Sequence, residues 1–438
     1  MKKQFILLTL FLCALFTVKG QEEKIKFTEF TLSNGLHVIL YRDDTTPNAM
    51  VSIMYHVGSK NEDPTRTGFA HLFEHLMFEG SEYIGRGEFS EMVQAAGGML
   101  NANTSYDRTF FFQNVPSNQL ELALWMEAER MLHAKIDTIG VNTQKGVVIE
   151  ERKQSYDNQP YGTWLEEVNK RAFKVHPYRW PVIGNPEHIR NSTFEDVYNF
   201  YKTFYVPDNA VLVVAGDFDE AQTNEWIEKY FGSIPPGTLP VNRPNVVEPP
   251  QTVAIRDTVY DNIQLPAVFV AYRAPADGTK ESYAMDLLVQ ILSGGQSARL
   301  RTNLDEKGLT AQSAMFYYGM EDAGMIYAFG IANLGKETQD VEDAIVAELE
   351  RVSRELVSED EFQMALAAVE YSTAARLRTL AGVSEELASD YTYFKDTNRI
   401  NKELSFYSEI TREDLLQVAQ KYFQPQSKVV VYYLPKTN

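Results

Sequence analysis

Phe194–Gly216, FEDVYNFYKTFYVPDNAVLVVAG, is written a second time at Arg412–Leu434, REDLLQVAQKYFQPQSKVVVYYL. Glu195-Asp196 answers to Glu413-Asp414, Pro207 to Pro425, and the apolar run Val211–Val214 to Val429–Tyr432, all at one constant offset. Each copy reads as a helix that passes through an aromatic residue and a proline into a buried strand. The copies also begin alike. NAMVSIMYHVGSK (Asn48–Lys60) leads to an apolar helix, and PAVFVAYRAPADG (Pro266–Gly278) leads to a helix from about Glu281 to Leu292. Both helices run into glycine, in FEGS and in LSGGQS. The chain is therefore expected to be one unit duplicated. The expected fold class is α+β, with two homologous halves, each an antiparallel-rich sheet packed with helices. A hairpin is expected at Asn34-Gly35 and a helix from Asn118 to about His133. The proline-rich GSIPPGTLPVNRPNVVEPPQ, residues 232–251, lacks periodicity and reads as a semi-rigid linker. The expected domains are 21–231 and 252–438.

The chain has 438 residues, 44% hydrophobic and 12% aromatic, enough for two cores and incompatible with disorder. Its formal charge of -19 argues against nucleic-acid binding, which needs clustered Lys and Arg. The first twenty residues stand apart. MKK is followed by an apolar run from Phe5 to Val18 and by small residues before Gln21, the pattern of a secretory signal peptide at 1–20. The run is short of the roughly 20 residues that span a bilayer. Export across a bacterial inner membrane is expected, to the periplasm first and to the medium as the alternative, with no membrane span left after cleavage. Cleavage would also remove Cys13, the single cysteine. No disulfide, cysteine metal site or cysteine nucleophile would remain, and no G-x-S-x-G is present.

TGFAHLFEHLMFEGS, Thr67–Ser81, carries the chemistry. His71 and His75 lie one helical turn apart on one face and can grip one metal ion. Two imidazoles suit zinc, and a third ligand with one open position makes a catalytic site. Glu74, beside His75, is placed to move a proton at that position. The competing reading is a pair of satisfied core histidines. All seven histidines lie at or before His188, and the second-half helix ESYAMDLLVQIL has none. Any such site belongs to the first half, one Zn2+ per chain.

H-x-x-E-H is the inverse of the zincin motif. The chain resembles the pitrilysin, insulin-degrading enzyme and mitochondrial processing peptidase family of zinc endopeptidases, over nearly all of its length after residue 20. GFAHLFEHLMFEGS, AAGGMLNANTSYDRTFFF, HPYRWPVIG and FYVPDNAVLVVAGDF carry the resemblance. It implies a third ligand from a glutamate on a later helix, where NTQKGVVIEERKQ offers Glu150 and Glu151. Aligning on Val147-Val148-Ile149 selects Glu151. The resemblance also implies that MLNANTSYDRTFFFQNV is an edge strand to which peptide substrates add by main-chain pairing. Asn101, Ala102, Asn103 and Thr104 are the residues that would contact the substrate. The implied activity is zinc-dependent hydrolysis of peptides or unfolded segments in an enclosed chamber. The alternative is a non-catalytic binding or structural subunit.

Two positions depart from the family. A supporting glutamate seven residues before the third ligand is here Gln144. An arginine and a tyrosine that hold substrate in many relatives fall on Leu304 and Ala311, with Arg301, Tyr317 and Tyr318 nearby at the wrong spacing. Either a substitute such as Tyr318 serves, or a homodimer or heterodimer partner supplies the missing pair.

Overall fold

The computed structural model describes residues 24–241 and 243–436. The expected signal peptide lies outside them. The first half forms β1 (Thr28–Thr31), β2 (His37–Arg42), β3 (Asn48–Tyr55), β4 (Met99–Thr104), β5 (Thr109–Pro116) and β6 (Ala210–Gly216). They make one sheet in the order β1-β2-β6-β3-β5-β4. The second half forms β7 (Ile255–Asp261), β8 (Ala267–Ala274), β9 (Thr310–Tyr318), β10 (Gly324–Ala332) and β11 (Val429–Pro435), in the order β7-β11-β8-β10-β9. Leaving out β1, the two orders are the same. The repeated strand, β6 or β11, lies inside its sheet in both. It runs parallel to β2 or β7 and antiparallel to β3 or β8. The duplicated sequence is thus a duplicated topology.

The expected hairpin is β1–β2, closed where Thr31 faces His37, with Gly35 at φ +91. The two predicted helices run Leu120–His133 and Lys280–Ser293. β6 is buried along its whole length because it is covered on both faces. Leu212 and Val214 point into the core under the first-half helices, and Val211, Val213 and Ala215 point the other way.

That other face is covered by the second half. Helix Leu380–Ser389 lays Val383, Leu387 and Ala388 on Ile39, Met50, Met54 and Val213, and Tyr391 stacks on His37 at 3.4 Å. The first half returns the favour. Helix Trp164–Ala172 covers the open face of the second sheet, where Trp164 stacks on Phe269 at 5.1 Å. Asn169 bridges the Tyr106 and Tyr327 hydroxyls at 2.8 and 2.6 Å. Each half completes its core with a helix of the other.

A buried polar cluster joins the halves at one end. Lys60 is 2% exposed. Its ammonium meets Asp107 at 2.9 Å and, from the β9–β10 turn of the second half, Glu321 and Asp322. His56 bonds Glu321 at 2.8 Å, and Tyr178 donates to Asp107 at 2.7 Å. Burial works against the charge on Glu321, but the His56 hydrogen bond and the Lys60 charge hold its carboxyl down at about 2. The described residues of 232–251 form no helix or strand, yet the segment is tied down. Arg243 donates to the His56 carbonyl and to Asn209, and Glu248 accepts the N–H groups of Lys174, Val175 and His176.

Candidate metal centre and active site

The histidine helix, Phe69–Leu76, is short and amphipathic. Phe69, Ala70, Leu72, Phe73 and Leu76 are buried, and Phe73 stacks on Phe200 of helix Phe194–Phe204 at 5.6 Å. His71, Glu74 and His75 share the half-buried side. The helix starts at Gly68, at φ +96 and without a capping side chain. A Cβ there would meet Ile189 Cδ1 at 2.7 Å and the Ile183 carbonyl oxygen at 2.9 Å, so glycine is required twice over. The cap comes from outside the helix. Buried Glu62 accepts the N–H of Gly68 at 2.9 Å and that of Ala70 at 2.8 Å through its two carboxyl oxygens. Burial pushes its carboxyl up to about 8 against those donors.

The glutamate helix, Thr138–Arg152, starts at Asp137, whose Oδ1 accepts the Gly140 N–H at 2.7 Å. Val148 anchors it in the core, which turns Glu151 toward the histidines. Glu151 Oε2 lies 3.2 Å from His75 Nε2, and Oε1 lies 3.6 Å from His71 Nε2. One ligand atom from each of the three lies within 4.8 Å of the others, the one such group of three or more His, Cys, Asp or Glu side chains among the described residues. Glu150 points to solvent and pairs with Lys153 at 3.2 Å, so the helix presents Glu151 and not its neighbour. Arg152 fastens the end of this helix, donating to the Gly184 carbonyl at 2.9 Å and to Glu166 at 2.7 Å.

The donor set fits zinc. Burial lowers the His71 pKa to about 4, which leaves its imidazole neutral and its lone pair free. The hydrogen bond with His75 holds the Glu151 carboxyl below its ordinary range and so ionised. Glu74 is different: burial raises its pKa, opposed by the Thr104 hydroxyl, which donates to Oε2 at 2.7 Å.

Of the residues expected to meet substrate, Thr104 is thus joined to Glu74. The stretch 99–115 is not one edge strand: it folds as the antiparallel hairpin β4–β5, and only β4 is the edge of its sheet, β5 being paired on both sides, with β3 and with β4. Ala102 is buried, while Asn101 and Asn103 are exposed. Asn101 Oδ1 accepts the Ala102 N–H at 2.9 Å, and Asn103 is engaged by Arg108. Gln144 donates to Glu79, which Arg86 also holds. In the second half Leu304 is fully buried in the core, Ala311 is exposed on β9, and Arg301 pairs locally with Glu306. Tyr317 donates to the Pro275 carbonyl at 2.8 Å. Tyr318 faces the first half, edge-on to Tyr106 at 6.1 Å.

Sequence reading missed Glu62, Arg152 and the Lys60 cluster. A glycine-started helix with no capping side chain was the one available signal for Glu62. The others are long-range contacts with no local pattern.

Residues 37–185 match the family described as Insulinase (Peptidase family M16), and residues 191–369 match the Peptidase M16 inactive domain. The chain belongs to peptidase family M16. This is the pitrilysin-type family of zinc metallopeptidases that the histidine motif suggested. An M16 relative, the zinc protease PqqE of Helicobacter pylori, is 29% identical over 414 residues, 94% of this chain and 93% of that protein. An uncharacterised zinc protease of Bacillus subtilis is 24% identical over 335 residues, 76% of this chain and 80% of its own length. The crystal structure of a protease from Helicobacter pylori superposes with a TM-score of 0.89 at 28% identity, covering 94% of this chain and 100% of that one. The M16 fold also appears in the periplasmic protease PqqL of Escherichia coli, with a TM-score of 0.75 and 19% identity. That match covers 93% of this chain but 47% of PqqL. Among the described residues no helix is long and apolar enough to cross a membrane.

Proposed function

We propose that the chain is an exported zinc endopeptidase that cuts peptides or unfolded segments, with domains 21–231 and 252–438 joined by the linker 232–251. The observation that carries this is the convergence of His71, His75 and Glu151 beside a protonatable Glu74 at the end of an open strand edge. His71, His75 and Glu151 would hold one zinc ion. When bound, zinc acidifies a water and polarises a carbonyl. Thr104 fixes Glu74 through Oε2, and Oε1 carries no protein hydrogen bond among the described residues. Glu74 Oε1 takes a proton from the water as its oxygen attacks the scissile carbonyl carbon. Glu74 then gives that proton to the leaving amide nitrogen as the C–N bond breaks. Burial, by raising the Glu74 pKa, brings it nearer the pH at which it must both accept and return a proton.

Substrate would pair with the free edge of β4 at Asn101, Ala102, Asn103 and Thr104, a mode that reads shape before sequence. The exposed asparagines keep that edge polar when no peptide is bound. Leu304 is sealed in a core and Ala311 has no reactive group, so neither supplies the Arg/Tyr function. A related chain that carries the pair would supply it and close a chamber over the zinc, since an identical copy has the same Leu304 and Ala311. The match to about half of PqqL is consistent with such pairing.

The test is hydrolysis of a mixed peptide pool by the purified chain, zinc-loaded, with and without chelator, beside Glu74→Gln. The expected result is cleavage that the chelator removes. Glu74→Gln should keep zinc and lose roughly 10²–10⁴-fold in rate. A Glu74→Gln protein as active as the parent would sink the peptidase reading and favour the binding subunit. Zinc bound without cleavage, restored by adding a related chain, would establish the paired site.

A further inference from the structure

The histidine and glutamate helices meet at a second level, below the three converging side chains. The chain keeps turning after Leu76. The Phe78 N–H donates to the His75 carbonyl at 3.0 Å and the Glu79 N–H to the Leu76 carbonyl at 3.0 Å, tight i→i+3 bonds that carry the backbone to Glu79, one turn past His75. On the other helix Gln144 precedes Glu151 by seven residues, two turns, and shares its face. Glu151 meets His71 and His75, and Gln144 meets Glu79. The two segments therefore lie antiparallel, joined at two rungs.

The lower rung is closed on every side. Gln144 Nε2 donates to Glu79 Oε1 at 2.5 Å. Glu79 is 6% exposed. Its Oε2 takes the Arg86 guanidinium, and Arg86 reaches on to both oxygens of Asp137 at 3.0 Å. Asp137 is the N-cap of the glutamate helix. The series Gln144–Glu79–Arg86–Asp137 thus begins and ends on the glutamate helix and is tied to the histidine helix through Glu79. It has little slack: a Cβ on Gly140 would meet Arg86 Nη1 at 3.0 Å and Glu79 Oε2 at 3.2 Å. An ionised carboxylate only accepts, so Glu79 must take the NH2 end of the amide. Gln144 Oε1 is left buried without a hydrogen-bond partner among the described residues. That is a costly state for an amide oxygen, so the orientation of Gln144 is imposed by Glu79. Both Glu79 oxygens are occupied, and Glu79 is not among the side chains that converge with His71, His75 and Glu151.

We infer that Glu79 is a positioning residue of the metal centre. Holding Gln144 with one oxygen and Arg86 with the other, it fixes the separation of the two helices and so the distance from Glu151 to the histidines. This rests on the reading of His71, His75 and Glu151 as zinc ligands.

The test exchanges the pair. Zinc dissociation constants of the whole chain at pH 7 are measured by competition with a chromophoric chelator for the parent, Glu79→Gln, Gln144→Glu and the double change Glu79→Gln/Gln144→Glu. The double change keeps the net charge and reverses the hydrogen bond, with the amide oxygen free to accept from Arg86. Each single change should weaken zinc binding about tenfold or more, since one removes the carboxylate that holds Gln144 and Arg86 and the other sets two carboxylates face to face. The double change should return it to within about threefold of the parent, a coupling that independent losses would not show. The visible absorption of the cobalt-loaded chains is the second readout. It reports ligand geometry, and should be altered in the single variants and parental in the double. Arg86 keeps Asp137 in all of them, and urea unfolding of the metal-free chains checks the fold. If a single variant does not fold, the double alone decides: parental affinity supports the inference, and a larger loss overturns it. Four equal affinities overturn it and leave the metal centre standing. Tighter binding by Gln144→Glu would be simple addition of charge and overturns it too. A parent chain that takes up neither zinc nor cobalt overturns the zinc reading itself, and this inference with it.

Discussion

Two helices stand at matching places, one after β3 and one after β8. Phe69–Leu76 has 8 residues, starts at a bare glycine, borrows its cap from Glu62 and turns polar groups toward a strand edge. Lys280–Ser293 has 14 residues, and its own Thr279 accepts the Ser282 N–H. It buries Ala284, Met285, Leu287, Leu288, Ile291 and Leu292. The same fold position is a plain structural helix in one half. In the other it is shortened and pinned from outside so that a face stays free. The difference teaches that the metal-binding helix depends on a neighbour for the cap that its counterpart supplies itself.

The largest expected effect tests that division directly. His75→Ala should weaken zinc binding by roughly 3 kcal/mol, a hundredfold or more, in competition with a chromophoric chelator. Gln290→Ala in the counterpart helix should leave zinc binding unchanged, and a loss there would break the comparison. Next is the joint between halves. Lys60→Met strands three carboxylates and should destabilise the fold by about 3–5 kcal/mol in urea at pH 7. The sign with pH follows from Glu321, held at about 2 against an ordinary 4.5. Its share of stability is fully present above about pH 4.5 and is lost as pH falls toward 2. Unfolding titrations at pH 7 and pH 3 should therefore show a smaller Lys60→Met penalty in acid. Glu62→Ala, which leaves two buried N–H groups unpaired, should lower stability by about 1–3 kcal/mol and weaken zinc binding with it. Thr279→Ala is the smallest, about 1 kcal/mol with zinc affinity unchanged. Equal effects of Glu62→Ala and Thr279→Ala on zinc would remove the distinction between borrowed and self-made caps.

The duplication was legible because β6 and β11 keep the same run of apolar residues after the same proline. The His71–His75 face was legible from helical spacing, and Glu151 only through a family resemblance, since nothing local separates it from Glu150. Its orientation is decided by Val148 entering the core three residues earlier, a fact of packing. The Lys60 cluster was not legible because Lys60 and Glu321 lie in different halves and neither sits in a pattern. For the same reason the linker boundary marks where the sequence changes character, while the packing of Leu380–Ser389 and Trp164–Ala172 crosses it.

That crossing has a consequence for how the protein is made. The first sheet emerges early, yet Ile39, Met50 and Val213 stay bare until synthesis has passed Ser389. Contacts between residues so far apart form slowly, and the waiting surface is open to aggregation. If the chain is exported unfolded, this late closure keeps the first half from locking before it crosses the membrane. The same delay predicts that the first half expressed without residues 380–401 will collect as insoluble material.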